Sequence, residues 1–476
     1  MFEIYNSYTK KKEKFKPVTE GKMNIYTCGP TVYSNAHVGN FSAFLMADIL
    51  VRYFKYSGYD VKWIMNITDV GHLTDDNEVT DDGEDKLEAA SKRENKTVWE
   101  IARHYEELFM KDIKDLRLLP AFKYPRASEH VEEMIDMIKT LEEKDVIYET
   151  SDGLYFDISK FKKYGNLSGN VIESLQAGAR VEVNEDKRSA FDFALWKKLI
   201  GKNENHIMKW DSPWGSGFPG WHIECSAMSK RYLGETLDFH TGGEDNKFPH
   251  HESEIAQSET ANDKKYVNYW MHKSRVVVNN EKMSKSLGNF FTVQDLLKLG
   301  YTPESIRFTF VSVHYRSKLN FTEEKLQESQ KTIDKFNEFI QFIIKSEETQ
   351  ENKSIASIIK STKQQFEKAM DDDLNVSGAL APLFGFMKSI RKQITKTGIS
   401  SENKEEILSF LRSMNSIFEV FDFEEKKEKE LSADDQNIVD ELIKKRDQFR
   451  AEKNWAEADK VRDELNKMGV KIEDKK

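Results

Sequence analysis

His250 and Glu254 stand four residues apart directly after Pro249. Proline at a first helical position fixes the backbone angle at no cost in hydrogen bonds, so this segment opens a helix and the two side chains share one face. An imidazole and a carboxylate one turn apart suit zinc, and two distant thiolates would complete a four-ligand site. Such pairs also occur as ordinary surface contacts, and the pair alone leaves both readings open. The chain has only two cysteines, Cys28 and Cys225. So few in 476 residues argue against a disulfide framework and leave thiol chemistry as their role. A second constellation, Lys282-Met283-Ser284-Lys285-Ser286-Leu287-Gly288-Asn289, is a loop whose two lysines could close on a polyphosphate; the plain alternative is a surface Lys and Ser loop.

The elements that must position these residues begin with a strand at Asn24–Cys28, stopped by Gly29-Pro30. A helical pattern from Phe41 to Phe54 and a strand at Val61–Met65 follow. Strand, helix and strand at this spacing predict a parallel sheet with ligands at the strands' C-terminal ends, where Cys28 to His37 and Asn66 to Asp69 sit. From about 121 to 205, Pro and Gly punctuation and short alternating pieces (Gly153 to Asp157, Ala179 to Val183) indicate an insertion. After Val276-Val277-Val278, the stretch from Phe321 to about Ile399 has the period of a helical bundle. Charged segments, Ser400 to Glu406 and Glu424 to Glu430, read as solvated linkers flanking one more helix before a final helical module.

The length calls for several domains. The apolar content of 38% and charged content of 32% are those of an ordinary soluble protein, with no apolar run of about 18 residues to span a bilayer. The N-terminal residues lack the basic and apolar regions of a secretory signal, so a cytoplasmic protein with no membrane partner is expected. A formal net charge of −10 argues against a general nucleic-acid coat, although residues 441–476 carry 11 Lys and Arg against 9 Asp and Glu.

Three segments, Thr27-Cys28-Gly29-Pro30-Thr31, Gly220-Trp221-His222-Ile223-Glu224-Cys225-Ser226 and Phe248-Pro249-His250-His251-Glu252, resemble signatures of the cysteinyl-tRNA synthetases, a class I aminoacyl-tRNA synthetase family. The resemblance covers nearly the whole chain. It implies one Zn2+ per chain on Cys28, Cys225, His250 and Glu254, with Gly29, Thr68, Trp221 and Asp245 around bound cysteine, Trp221 walling the pocket and Asp245 holding the ammonium group. Zinc would suit such an enzyme because a substrate thiolate is a soft ligand and a serine hydroxyl a hard, weak one. Shape alone separates small side chains by only about 10- to 200-fold.

Pro30 to Asn40 resembles the class I motif called HIGH, in the form His37-Val38-Gly39-Asn40, and Lys282 to Asn289 matches the second class I signature in full. The resemblance therefore implies an ATP site on His37, Gly39, Asn40 and Lys285, catalytic roles for His37, Asn40, Lys282 and Lys285, and ATP entering with Mg2+. Segments such as Asp192 to Lys197, Tyr315 to Ser317 and Met370 to Asn375 extend it. At the C-terminus Arg450, Trp455, Asp459 and Asp474 match anticodon-contacting positions, and Trp455, Asp459 and Arg462 fall on one helical face; a hairpin with Trp455 in its core is the alternative.

The implied fold class is α/β. A Rossmann-like catalytic domain (1–120 and 206–275, the second half holding the zinc site) contains an inserted subdomain (121–205). A loop and stem-contact region (276–320), an α-helical bundle (321–400) and a small helical anticodon-binding module (431–476) complete it. The implied partners of this monomer are tRNA(Cys), L-cysteine and ATP. The sequence departs from the family pattern in four places: Val70 to Glu84 interposes an acidic stretch with His72 after Asp69, Phe218 stands where Arg is common, Asn246 where an apolar residue is usual, and the common Trp-Arg tail does not follow Asp474. Two competing readings share parts of the motifs. A ligase joining cysteine to an amino-sugar would have little reason to keep residues 431–476, and a non-catalytic RNA-binding relative would be expected to have lost a zinc ligand or Lys285.

Overall fold

The computed structural model describes residues 2–71, 73, 84–170, 186–283, 289–426 and 433–467. Four parallel strands form the central sheet: β1 (Lys22–Thr27), β2 (Asp60–Met65), β3 (Leu237–Gly243) and β4 (Val267–Lys273), side by side in the order β4, β3, β1, β2. β1 is in register with β2 from Lys22–Asp60 to Thr27–Met65 and with β3 at Ile25–Phe239. A parallel sheet covered on both faces needs nearly continuous apolar strands, and Trp63, Ile64 and Met65 of β2 and most of β4 are buried accordingly. Leaving β1, the chain turns first to β2 on one side and returns later to β3 on the other. Ligands bind at such a switch point, beyond the strands' C-terminal ends.

Helix α1 (Val38–Tyr56) lies on the sheet and is buried along almost its entire length. Its inner face meets β2 and β3, while the helices Pro303–Val311 and Ser401–Phe418 pack on its outer side. Two arginines bind these layers together. Asp48 accepts from Arg52 Nε (2.8 Å), from the Leu119 N–H (2.7 Å) and from the fully buried Arg307. Arg307 Nε also donates to the Phe418 carbonyl (2.6 Å), and Arg52 donates to Glu419 (2.9 Å). With both guanidinium groups hydrogen-bonded in this way, the buried charges are tolerated.

The insertion builds its own antiparallel sheet from Ile147–Glu149, Gly153–Phe156, Phe193–Lys198 and Gly217–Pro219. Its last strand lies beyond position 205, because Trp196 to Lys198 pair with residues 217–219 just before the helix that carries Cys225. Phe218, in place of the expected Arg, is buried and stacked on the His206 ring at 4.0 Å; His206 Nε2 stands 3.4 Å from Asp85. The acidic insertion is closed at its base by an antiparallel bridge between Leu73 and Asp85, and Asp85 caps the helix Lys86–Glu94. Asp69 is structural: its buried carboxylate accepts from the Ser128 N–H (2.8 Å) and hydroxyl (2.5 Å). His72 and the Ala179 to Val183 alternation lie outside the described residues.

The bundle holds four helices, Glu323–Lys345, Ser354–Asp371, Val376–Thr397 and Ser401–Phe418. The expected linker from Ser400 to Glu406 is instead the start of the last one. Ser400 caps it by accepting from the Asn403 N–H, and Ile407, Leu408 and Leu411 bury its apolar face, so its charges are simply the solvent side of an amphipathic helix. Residues 424–426 of the second charged segment are exposed and outside regular structure.

A separate compact unit begins at Phe423. Its described part is a hairpin of helices Ala433–Ala451 and Trp455–Lys467, closed by Val439, Val461 and Leu465 against Leu442, Ile443 and Phe449. No helix among the described residues is long and apolar enough to cross a membrane.

Candidate active site and metal centre

Cys28 follows β1 directly, and its N–H donates to the Thr241 carbonyl of β3 (3.2 Å). At Gly29 a Cβ would lie 1.7 Å from the Asn66 carbonyl oxygen, so only glycine lets the ends of β1 and β2 approach so closely. Cys225 lies in the second turn of α2 (Trp221–Leu233), and His250 and Glu254 lie on α3 (His250–Asn262). All four side chains are buried and their donor atoms fall within 4.8 Å of one another.

The separations are 3.8 Å between the two sulfurs and 3.6 Å from Cys28 Sγ to Glu254 Oε1. Cys225 Sγ stands 3.6 Å from His250 Nε2, and His250 Nε2 3.2 Å from Glu254 Oε1. A tetrahedral zinc at about 2.3 Å from sulfur and about 2.0–2.1 Å from nitrogen or oxygen puts such pairs about 3.8, 3.5 and 3.3 Å apart. The residues present fit the ion.

A second grouping, Cys28, His240, His251 and Glu254, overlaps the first. There His240 Nε2 is only 2.8 Å from Glu254 Oε2, the length of a charge-assisted hydrogen bond rather than the spacing of two co-ligands. His240 thus supports Glu254 from behind, as does Tyr266, whose hydroxyl donates to the same oxygen at 3.1 Å. His222 and His250 pair through their Nδ1 atoms (2.9 Å), and His251 Nδ1 pairs with His272 Nε2 (2.8 Å).

Burial sets the protonation of this cluster. It pushes the Cys225 thiol up to about 11, the Cys28 thiol well above its ordinary range, and His250 down to about 3. Burial also opposes the Glu254 charge, yet His240 and His250 hold that carboxylate below its usual range. A neutral imidazole, a carboxylate and two thiols form a soft donor set, and a divalent cation reverses the penalty on the thiolates.

Beside the cluster, the Trp221 ring stacks on His250 at 4.1 Å. Thr68 is buried and bridged to Thr31 across the loops. Asp245 sits on the short turn Glu244–Lys247, exposed and ion-paired with Arg275.

The two nucleotide motifs meet in space. His37 caps α1: its Nδ1 accepts from the Asn40 N–H (3.2 Å), while Asn40 Oδ1 accepts from the His37 N–H (3.1 Å). The Val38 N–H donates to the Phe291 carbonyl (3.0 Å), His37 bridges to Thr292, and a Cβ on Gly39 would be 3.7 Å from Met283 Cε. The helix start therefore adjoins both ends of the lysine loop, and the positive end of the helix dipole there suits an anion. Lys282 belongs to a short strand pairing with Val277, and Lys285 lies outside the described residues.

In the C-terminal hairpin Trp455 is 58% exposed, and the Arg450 guanidinium lies 6.0 Å from its ring centre. Asp459 pairs with Arg462 at 3.0 Å. Asp474 lies outside the described residues.

Sequence reasoning missed the supporting residues His222, His240, His251, His272 and Tyr266, as well as Glu224. A signal was available: five of the 11 histidines fall between positions 222 and 272.

Comparison with known proteins accounts for the same regions. Residues 14–331 match the catalytic domain of the class I (C) tRNA synthetases, 365–422 a DALR domain, and 436–476 the anticodon-binding domain of cysteinyl-tRNA ligase. The cysteine–tRNA ligase of Pyrococcus horikoshii is 42% identical over 487 aligned residues, covering 99% of this chain and 97% of that protein. Those of Thermococcus onnurineus and Brachyspira hyodysenteriae are 39% and 40% identical with the same coverage. A methionyl-tRNA synthetase of Mycobacterium tuberculosis, solved with methionyl-adenylate, shares the fold at a TM-score of 0.58 and 12% identity over 84% of this chain and 90% of that one. With a match that runs through catalytic, bundle and hairpin regions alike, the chain belongs to the cysteine–tRNA ligase family of class I synthetases.

Proposed function

We propose that the protein activates L-cysteine with ATP and transfers it to the 3′ end of tRNA(Cys). The observation that carries this reading is the buried cluster of two thiols, one imidazole and one carboxylate, spaced for zinc at the end of β1. Zinc bound there by Cys28, Cys225, His250 and Glu254 would supply a soft Lewis acid for the substrate's thiolate and so exclude serine. Gly29, Thr68 and Trp221 border the amino-acid pocket, and Asp245 would contribute once released from Arg275.

In the first step the cysteine carboxylate attacks the α-phosphate of Mg-ATP and pyrophosphate leaves. The N-terminus of α1, with His37, Gly39 and Asn40, cradles the phosphates, and the cap holds the His37 ring through Nδ1. Lys282 and Lys285 offset the charge that grows on the transferring group. In the second step the 2′-hydroxyl of the terminal ribose takes the aminoacyl group and AMP leaves. No side-chain nucleophile is needed, so positioning and charge carry the rate.

In the hairpin, Arg450, Trp455, Asp459 and Asp474 would read the anticodon, the exposed indole stacking on an unpaired base. The 436–476 match favours tRNA over an amino-sugar as acceptor. We assign the protein to the cytoplasm as a monomer with one zinc per chain and the domain limits expected from sequence, with the insertion carried to Pro219 and the bundle continued through Phe418.

The test is exchange of labelled pyrophosphate into ATP across the standard amino acids, with and without a zinc chelator. Exchange with cysteine alone, lost on chelation, is the expected result; exchange with another amino acid, or with none, contradicts the reading.

A further inference from the structure

Behind Thr68 lies a fully buried carboxylate, Glu224, with no role in the scheme above. Its place is set by a chain of hydrogen bonds whose direction starts from a backbone N–H. The Gly29 N–H can only donate, and it donates to Asn66 Oδ1 at 2.8 Å. Asn66 must then turn its amide nitrogen to Thr68, where Nδ2 donates to Oγ1 at 3.0 Å. The Thr68 hydroxyl proton goes to Glu224 Oε2 at 2.8 Å. A hydroxyl has one proton and two lone pairs. With the proton given to Glu224 and one lone pair taken by Asn66, Thr68 Oγ1 keeps a single lone pair, which can only accept. The backbone turn at Gly71 (φ +74°) lies beside the carboxylate, where a Cβ would come to 3.4 Å from Oε1.

We propose that Glu224 is a positioning residue that fixes the Thr68 hydroxyl as an acceptor for the substrate's ammonium group. The site thereby prefers an α-amino acid to a thiol carboxylate without the amine. This rests on the reading of the pocket as a cysteine site. Glu224 and Cys225 are consecutive on α2, so one helical turn carries both the metal-side thiol and the group that orients the amine acceptor. The spacing between thiol and amine recognition is thus built into a single element. Without Glu224 the hydroxyl could rotate and point its proton at the ammonium group.

The experiment measures cysteine-dependent pyrophosphate exchange for Glu224→Leu, Thr68→Val and the double variant, with zinc content recorded for each. Each single change should raise KM for cysteine by about 10- to 100-fold, the range of a hydrogen bond to a charged group, and kcat by much less. The double variant should be no worse than Thr68→Val alone, because both remove one interaction. Inhibition by 3-mercaptopropionate, which lacks the amine, should move by less than about threefold in all of them. An unchanged KM in Glu224→Leu, or additive losses in the double variant, overturns the proposal.

If Glu224→Leu fails to fold, Glu224→Gln carries the test. Its amide oxygen can still accept from Thr68, so KM should stay within about threefold, and a tenfold rise would show that charge rather than hydroxyl direction matters. Wild-type protein with no cysteine-dependent exchange would remove the cysteine-site reading itself, a result distinct from active wild type with indifferent Glu224 variants.

Discussion

The cluster at the end of β1 and the C-terminal hairpin use polar residues in opposite ways. Around Cys28 and Cys225, six histidine, tyrosine and glutamate side chains (His222, His240, His250, His251, Tyr266 and Glu254) are fully or almost fully buried and interlocked by hydrogen bonds. In the hairpin the distinctive residue, Trp455, stands in solvent beside Arg450, and the stabilising apolar contacts lie elsewhere, at Val439, Val461 and Leu465. A buried network over-determines its geometry, which suits discrimination between a thiol and a hydroxyl. An exposed aromatic on a small scaffold costs little to present and suits a partner that brings its own surface.

The contrast can be broken most decisively at a proposed metal ligand. Cys225→Ser should leave the protein without zinc as purified and without measurable cysteine-dependent exchange; one zinc per chain, counted by atomic emission, would contradict the ligand assignment. Leu465→Ala should destabilise the hairpin by about 2–5 kcal/mol, since that side chain is fully buried, and a urea melt of its helical signal reads this directly. A smaller effect is expected one layer behind the proposed ligands: His240→Ala removes the partner of Glu254 and should weaken zinc binding about 10- to 100-fold in a chelator competition. Trp455→Ala should cost about 1–3 kcal/mol of tRNA affinity, measured by filter binding, and leave pyrophosphate exchange untouched. The same change should alter folding stability by less than about 0.5 kcal/mol, because the indole is exposed. If stability falls and tRNA affinity does not, the hairpin is organised like the buried site after all.

Much of this was legible in the chain because period and turn chemistry reflect local physics. The βαβ start emerged with its limits off by at most three residues. Ser400 to Glu406 was misjudged because charge density alone does not separate a linker from the solvent face of a helix; the capping Ser400 and the apolar Ile407, Leu408 and Leu411 do. Gly217–Pro219 carries no strand signal of its own, and only pairing with Phe193–Lys198 makes it one. Within the site, His250 and Glu254 could be paired from helical spacing. The convergence of His240 and Tyr266 on Glu254, and of His272 on the neighbouring His251, depends on β3 and β4 lying side by side, a long-range contact that composition does not carry. Glu224 was invisible for the same reason, since its partner Thr68 is 156 positions away.

The central claim is that the buried donor set holds a metal and that the substrate's thiolate joins it. Replacing zinc with cobalt(II) makes this visible, because each thiolate on cobalt adds sulfur-to-metal charge-transfer absorption in the near ultraviolet. One cobalt per chain, with that absorption rising on addition of cysteine and unchanged by serine, is the predicted result. Failure to take up cobalt, or a spectrum indifferent to cysteine, would contradict it.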